Sequence, residues 1–112
     1  MGFGKMDTFI DIVRVKRDTD SEGFKKDTEE ILASVRAYRE GRHGSEKWAN
    51  RAAFSSATDL FRFRIIPGLE VTPDMVVVCG AGRFQISSVE DVKGRGMYLE
   101  VLAEEVKASG KG

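Results

Sequence analysis

Asp59-Leu60-Phe61-Arg62-Phe63-Arg64-Ile65-Ile66 is the stretch on which the fold turns. Phe61, Phe63 and Ile65 fall on one face of an extended chain and Arg62 and Arg64 on the other, the period of two that marks a half-buried strand. Pro67-Gly68 stops this strand, and Pro73-Asp74 forms a second turn before MVVVC (75–79), a nearly continuous apolar strand. Gly80-Ala81-Gly82 reads as a tight reversal into RFQISSV (83–89), where Phe84, Ile86 and Ser88 face one way and Arg83, Gln85 and Ser87 the other. Lys93-Gly94-Arg95-Gly96 turns the chain into MYLEVLAEEV (97–106). There Met97, Leu99, Val101 and Ala103 alternate with Tyr98, Glu100, Leu102 and Glu104. The tail over 107–112 is polar and glycine-rich and is expected to fray.

Upstream, TFIDIVRVKR (8–17) is β-branched, with Phe9, Val13 and Val15 on one face and Ile10 and Ile12 on the other, which predicts a strand covered on both sides. Asp18–Asp27 is polar, contains Gly23 and reads as a loop. ILASVRAY (31–38) alternates Ile31, Ala33, Val35 and Ala37 against Ser34, Arg36 and Tyr38. The preceding KKDTEEI has the look of a helix start, but the alternation after Ile31 favours a strand. Arg39–Ser56 breaks the pattern. Ser45 N-capping a short helix through Phe54, with Trp48 and Ala52 one turn apart, and an uncapped loop are equal alternatives there.

Six short strands with hairpin turns and no long helices predict an all-β fold, a small antiparallel six-stranded β-barrel or sandwich with long loops and at most one short helix, and exclude a parallel α/β sheet for want of crossovers. At 112 residues the chain is expected to be a single domain. Eighteen basic and eighteen acidic residues cancel, so no global field draws the chain to nucleic acid or anionic lipid. No apolar run is long enough for a membrane span or a signal peptide, and a single cysteine forms no internal disulfide; the chain reads as cytosolic.

The search for chemistry is mostly negative. One histidine, His43, lies in the Arg39–Ser56 loop and reads as a solvated residue, and one His with one distant Cys gives neither a catalytic triad nor a tetrahedral metal site. Cys79 ends an apolar strand and reads as a small buried hydrophobe. CGAGR superficially suggests a phosphate loop, yet it leads from strand to strand rather than into a helix, so a hairpin turn is the better reading. Adjacent carboxylates such as Glu29-Glu30 point to opposite strand faces and support no acid–base pair. Arg62 and Arg64 share a face; a phosphate contact is weighed against plain solvated surface, and the latter is favoured. No catalytic residue, cofactor or metal is expected.

Trp48 stands out, among Lys47, Arg51 and Arg42, and either tucks back onto the barrel or anchors a partner, two readings of equal weight. The candidate interaction residues are therefore Arg39, Arg42, His43, Lys47, Trp48 and Arg51 in one loop, and Glu22, Phe24, Lys25 and Lys26 in the other.

From Thr58 onward, TDLFRFRIIPGLEVTPDMVVVCGAGRFQISSVEDVKGRGMYLEVLAEEV resembles the phage head–tail joining, or head–tail adaptor, family. The likeness lies in the aromatic and Arg strand, the Pro-Gly and Thr-Pro-Asp-Met turns, the hairpin ending in Arg-Phe-Gln-Ile, the Val-Glu-Asp turn and the closing Tyr-Leu-Glu-Val-Leu strand. Ala33-Ser34-Val35-Arg36 resembles that family's second strand, although Leu32 stands where a Trp is frequent and the first strand lacks a Leu-Arg-His-Arg beginning. The resemblance implies a virion structural protein, made in the bacterial host cytoplasm and placed at the head–tail interface. It also implies a ring of identical copies between a portal or adaptor protein and a tail protein, helping to close the DNA channel, with at most a passing contact to genomic DNA. Asp18–Asp27 and Arg39–Ser56 are then the working loops. The rival reading is an OB-like barrel binding single-stranded nucleic acid, which needs aromatics on an exposed strand face; another tail or baseplate protein is a third.

Overall fold

The fold is given by a computed structural model that describes residues 6–19, 21–23, 25–41, 56–94 and 96–106. Strands β1 (Thr8–Thr19), β2 (Lys25–Gly41), β3 (Asp59–Arg64), β4 (Met75–Cys79), β5 (Gly82–Asp91) and β6 (Tyr98–Glu105) close into a barrel in the order β1-β2-β3-β6-β5-β4. Every neighbouring pair is antiparallel. Each strand has a paired neighbour on both sides over at least part of its length, so one set of alternating side chains points inward around the ring.

The alternation expected for β3 and β6 holds from Phe61 to Phe63 and from Leu99 to Ala103, but Met97, expected on the core face, precedes β6 and is 54% exposed. Phe61, Phe63, Val101 and Ala103 are fully buried, with Leu99 packed against them. Met75, Val77, Phe84, Ile10, Ile12 and Ala37 complete the interior, and the Phe61 and Phe84 rings meet edge to face, 5.2 Å apart between centroids. Gly80-Ala81 is the two-residue loop between Cys79 and Gly82, and Gly80 sits at φ +59°, a conformation that glycine adopts without steric cost. At the last turn a short 3-10 segment (Val92–Gly94) precedes Gly96, whose N–H donates to the Asp91 carboxylate at 3.1 Å.

Two β-bulges correct the sequence reading. Ile12 faces Ala33 while Val13 faces Ile31, so Leu32 is an additional residue in β2. The phase of the strand flips there: Ala33, Val35 and Ala37 face inward as expected, but Ile31 turns out and is 61% exposed. In β5, Ile86 faces Ala103 and Ser88 faces Leu102, so Ser87 is extra. Val89, not Ser88, therefore packs on the core.

The strand boundaries also differ from expectation. β1 runs on to Thr19 and β2 starts at Lys25, so the Asp18–Asp27 loop shrinks to the few residues between them. Arg39, Glu40 and Gly41 belong to β2, which shortens the second loop from its start. The expectation that β1 is covered on both faces fails in part. Val13 is buried on the outer face beside its registered neighbour Val76, but Phe9 is 64% exposed and Val15 39% exposed. The short helix weighed for Ser45–Phe54 lies outside the described residues.

Candidate interaction surfaces

Arg39 closes one mouth of the barrel. Its Nε donates to Asp59 Oδ2 at 2.9 Å, and its guanidinium lies over the rings of Phe84 (5.1 Å) and Phe61 (6.0 Å). Thr58 Oγ1 donates to the other Asp59 oxygen at 2.8 Å, which accounts for a carboxylate buried at the strand start. Arg39 Nη1 also approaches Cys79 Sγ at 3.8 Å. Partial burial works against the Arg39 charge, but the hydrogen bond and attraction of Asp59 outweigh it and raise the pKa above the ordinary arginine value. Arg39 is thus a fixed cation over an aromatic lid rather than a loop residue.

On the outer face of β3, Arg62 and Glu100 are directly registered, and Arg62 Nε (2.9 Å) and Nη2 both donate to Glu100 Oε2. Arg62 also lies over the Tyr38 ring at 5.4 Å, and Tyr38 packs against a small outer cluster of Ala57, Leu60 and Leu102. The Tyr38 hydroxyl donates to Glu40 Oε1 at 3.0 Å. Burial first, then this bond and the Glu40 charge, raise its pKa, against the lowering effect of Arg62. The reading of Arg62 as solvated surface is therefore corrected: a carboxylate on the neighbouring strand takes it up. Arg64 remains exposed and lies over Tyr98 at 5.9 Å.

The β1–β2 hairpin reaches beyond the barrel wall. β4 registers with β1 only over Asp11–Arg14, and β3 with β2 only over Tyr38–Gly41, whereas β1 and β2 remain paired to Thr19 and Lys25. The far half is a two-stranded ribbon held by its own ladder and by Lys16–Glu30 at 3.1 Å, while Glu29 pairs with Arg83 at its base. Phe9, Val15 and Ile31, three of the five large exposed hydrophobic residues among those described, lie on these two strands. A two-stranded ribbon with exposed apolar side chains gains stability only when something packs on it.

Of the residues singled out from sequence, Arg39 is placed in β2 and Glu22 on the exposed β1–β2 turn. Lys25 and Lys26 begin β2, correcting their loop assignment. Phe24, Arg42, His43, Lys47, Trp48 and Arg51 lie outside the described residues. Sequence reasoning missed Asp59, Glu100 and Tyr38. Glu100, a carboxylate between Leu99 and Val101 in an alternating strand, carried a signal, but its partner emerges only once β3 and β6 are in register.

The model of the phage head completion protein family matches residues 1–106. The chain belongs to that family. Head completion membership gives it a structural role in the head–tail region of the virion, as the sequence resemblance implied. Among solved structures, the solution structure of protein SF1141 from Shigella flexneri 2a superposes with a TM-score of 0.70 at 14% identity, covering 100% of both chains. A chain of the virion of a native gene transfer agent particle superposes with a TM-score of 0.57 at 22% identity, covering 93% of this chain and 98% of the other. At these identities the likeness is one of fold. No curated protein matches the sequence. Among the described residues no helix is long and apolar enough to cross a membrane, and no group of His, Cys, Asp and Glu is arranged to hold a metal ion.

Proposed function

We propose that this chain is a head–tail connector subunit that assembles as a ring of identical copies between the portal or adaptor and the tail and helps close the DNA channel. The observation that carries the reading is the β1–β2 ribbon, which projects from a closed barrel and exposes Val15, with Ile31 exposed at its base, where a neighbour would bury them. Cyclic contacts of this kind are heterologous: one patch on a copy meets a different patch on the next, and the rotation closes the ring. The segment between β2 and β3, with Arg42, His43, Lys47, Trp48 and Arg51, then acts as the contact or closing element, and Glu22, Phe24, Lys25 and Lys26, between β1 and β2 and at the start of β2, as a second contact. Family membership and the fold shared with a gene transfer agent virion chain support the reading. No enzymatic step is part of it.

The test is the mass in solution, alone and mixed with the portal-bound connector, by sedimentation or multi-angle scattering. A ring or a docked complex that is lost in Trp48→Ala, or when residues 42–55 are replaced by a short Gly-Ser linker, supports the proposal. A protein that ignores the connector and binds short single-stranded oligonucleotides with steep salt dependence sinks it. The nucleic-acid reading is already weakened, because Phe61, Phe63 and Phe84, the aromatics it would need on an exposed face, are wholly interior.

A further inference from the structure

Past Tyr38↔Arg62 the strands β2 and β3 stop pairing and diverge. The split opens a groove of about 450 Å³ whose floor is Val35, Ile65, Ile66 and Pro67 and whose rims are Arg36 on β2 and Arg64 on β3. On its other side β2 is still held by β1, through Ile10↔Val35 and Phe9↔Arg36. Toward the groove, Val35 and Arg36 have no registered strand partner among the described residues. The groove therefore presents an open strand edge, the template on which an extended segment adds as a further strand.

The rims define the chemistry of the occupant. Arg36 lies over the Phe9 ring at 4.9 Å and Arg64 over Tyr98 at 5.9 Å, so both guanidiniums are held on aromatic faces. Both arginines are exposed, and among the described residues neither has a carboxylate within ion-pair distance. Arg62, one pleat away, differs in being taken up by Glu100. Two orientated guanidiniums with no carboxylate partner among the described residues, above an apolar floor, complement an extended chain bearing carboxylates on one face and apolar side chains on the other. A nucleic-acid backbone matches the cations but leaves the apolar floor and the strand edge unused.

We infer that the β2–β3 split is a docking groove for an extended acidic segment of another virion protein, which adds to the β2 edge and is clamped by Arg36 and Arg64. The assignment rests on the virion-assembly reading for the source of the segment, and on the groove alone for its chemistry.

The full chain, labelled with nitrogen-15, is titrated with an acetylated Glu-Val-Glu-Leu-Glu peptide, the corresponding Lys-Val-Lys-Leu-Lys peptide and a short DNA duplex. The acidic peptide is expected to shift the amides of Val35, Arg36, Arg64 and Ile65 and to slow amide exchange at Val35 and Arg36. Arg36→Gln with Arg64→Gln is expected to weaken its binding about tenfold, the loss of two exposed charge-assisted contacts, with only a small change in the thermal melt. Equal binding of the lysine peptide, no shifts at these amides, or duplex binding through the same arginines overturns the inference. So does self-association of the free protein that the double variant abolishes, which makes a second copy the occupant. Docking to the connector is scored separately. If the protein fails to dock yet binds the acidic peptide, the assembly reading fails and the groove's chemistry stands; docking without peptide binding gives the reverse.

Discussion

Arg62 on β3 and Glu100 on β6 are registered neighbours that form an ion pair in which two guanidinium nitrogens share Glu100 Oε2, with their side chains only 15% and 8% exposed. Two charges so far out of water are held by each other, and removing one leaves the other desolvated. Glu100→Ala is expected to cost about 3 kcal/mol, at the lower end of what breaking a buried pair costs. Replacing both residues together, with Arg62→Leu and Glu100→Leu, should recover most of that loss. Urea unfolding of the two variants and of Arg62→Leu alone checks this; equal loss in the single and double variants contradicts it.

Gly82 is fixed by the ring it abuts. A Cβ placed there meets Phe84 Cε1 at 2.9 Å and Cζ at 3.2 Å. The Phe84 ring cannot swing away, being buried, packed edge-on against Phe61 and covered by Arg39. Gly82→Ala is expected to destabilise by about 1–3 kcal/mol through overpacking. Gly41→Ala, where a Cβ meets nothing within 4 Å, serves as the control and should change the thermal midpoint far less.

Tyr38 ties stability to alkaline pH. Its pKa is raised from the ordinary value of 10.0 by burial and by the Glu40 carboxylate, so folding favours the protonated phenol. The folded state then binds the proton more tightly than the unfolded state, and stability falls as pH rises. The contribution is whole below pH 10.0 and is lost as pH climbs through the higher folded value. Ultraviolet titration should show a tyrosine ionising late, absent in Tyr38→Phe, and that variant should lose less stability at alkaline pH than the parent.

Phe9 is a surface residue by every local measure, 64% exposed and stacked on Arg36. Phe9→Ala is expected to alter stability by no more than about 1 kcal/mol, the size of an exposed cation–π contact. Because Phe9 orients a rim of the proposed groove, the same change should weaken capture of the acidic peptide. A large loss of stability would show that Phe9 belongs to the packing of the barrel.

The sequence by itself determined the strands and most of their faces. Residues 61–65 alternate strictly and 75–79 are wholly apolar, and an alternating pattern has only one way to bury itself in a closed sheet. The family likeness was legible for the same reason, since turns and strand order are local features. Three things were settled only in the tertiary structure. The bulges at Leu32 and Ser87 depend on how two strands register, which turned Ile31 outward and brought Val89 in, and no single strand encodes that. The fates of Arg39, Arg62 and Arg64 depend on what the neighbouring strand offers: Asp59 and two aromatic rings, Glu100, and an open split. The exposure of Phe9 and Val15 follows from β4 registering with only Asp11–Arg14, because a strand's sequence states which face is apolar but not how far its neighbour extends to cover it.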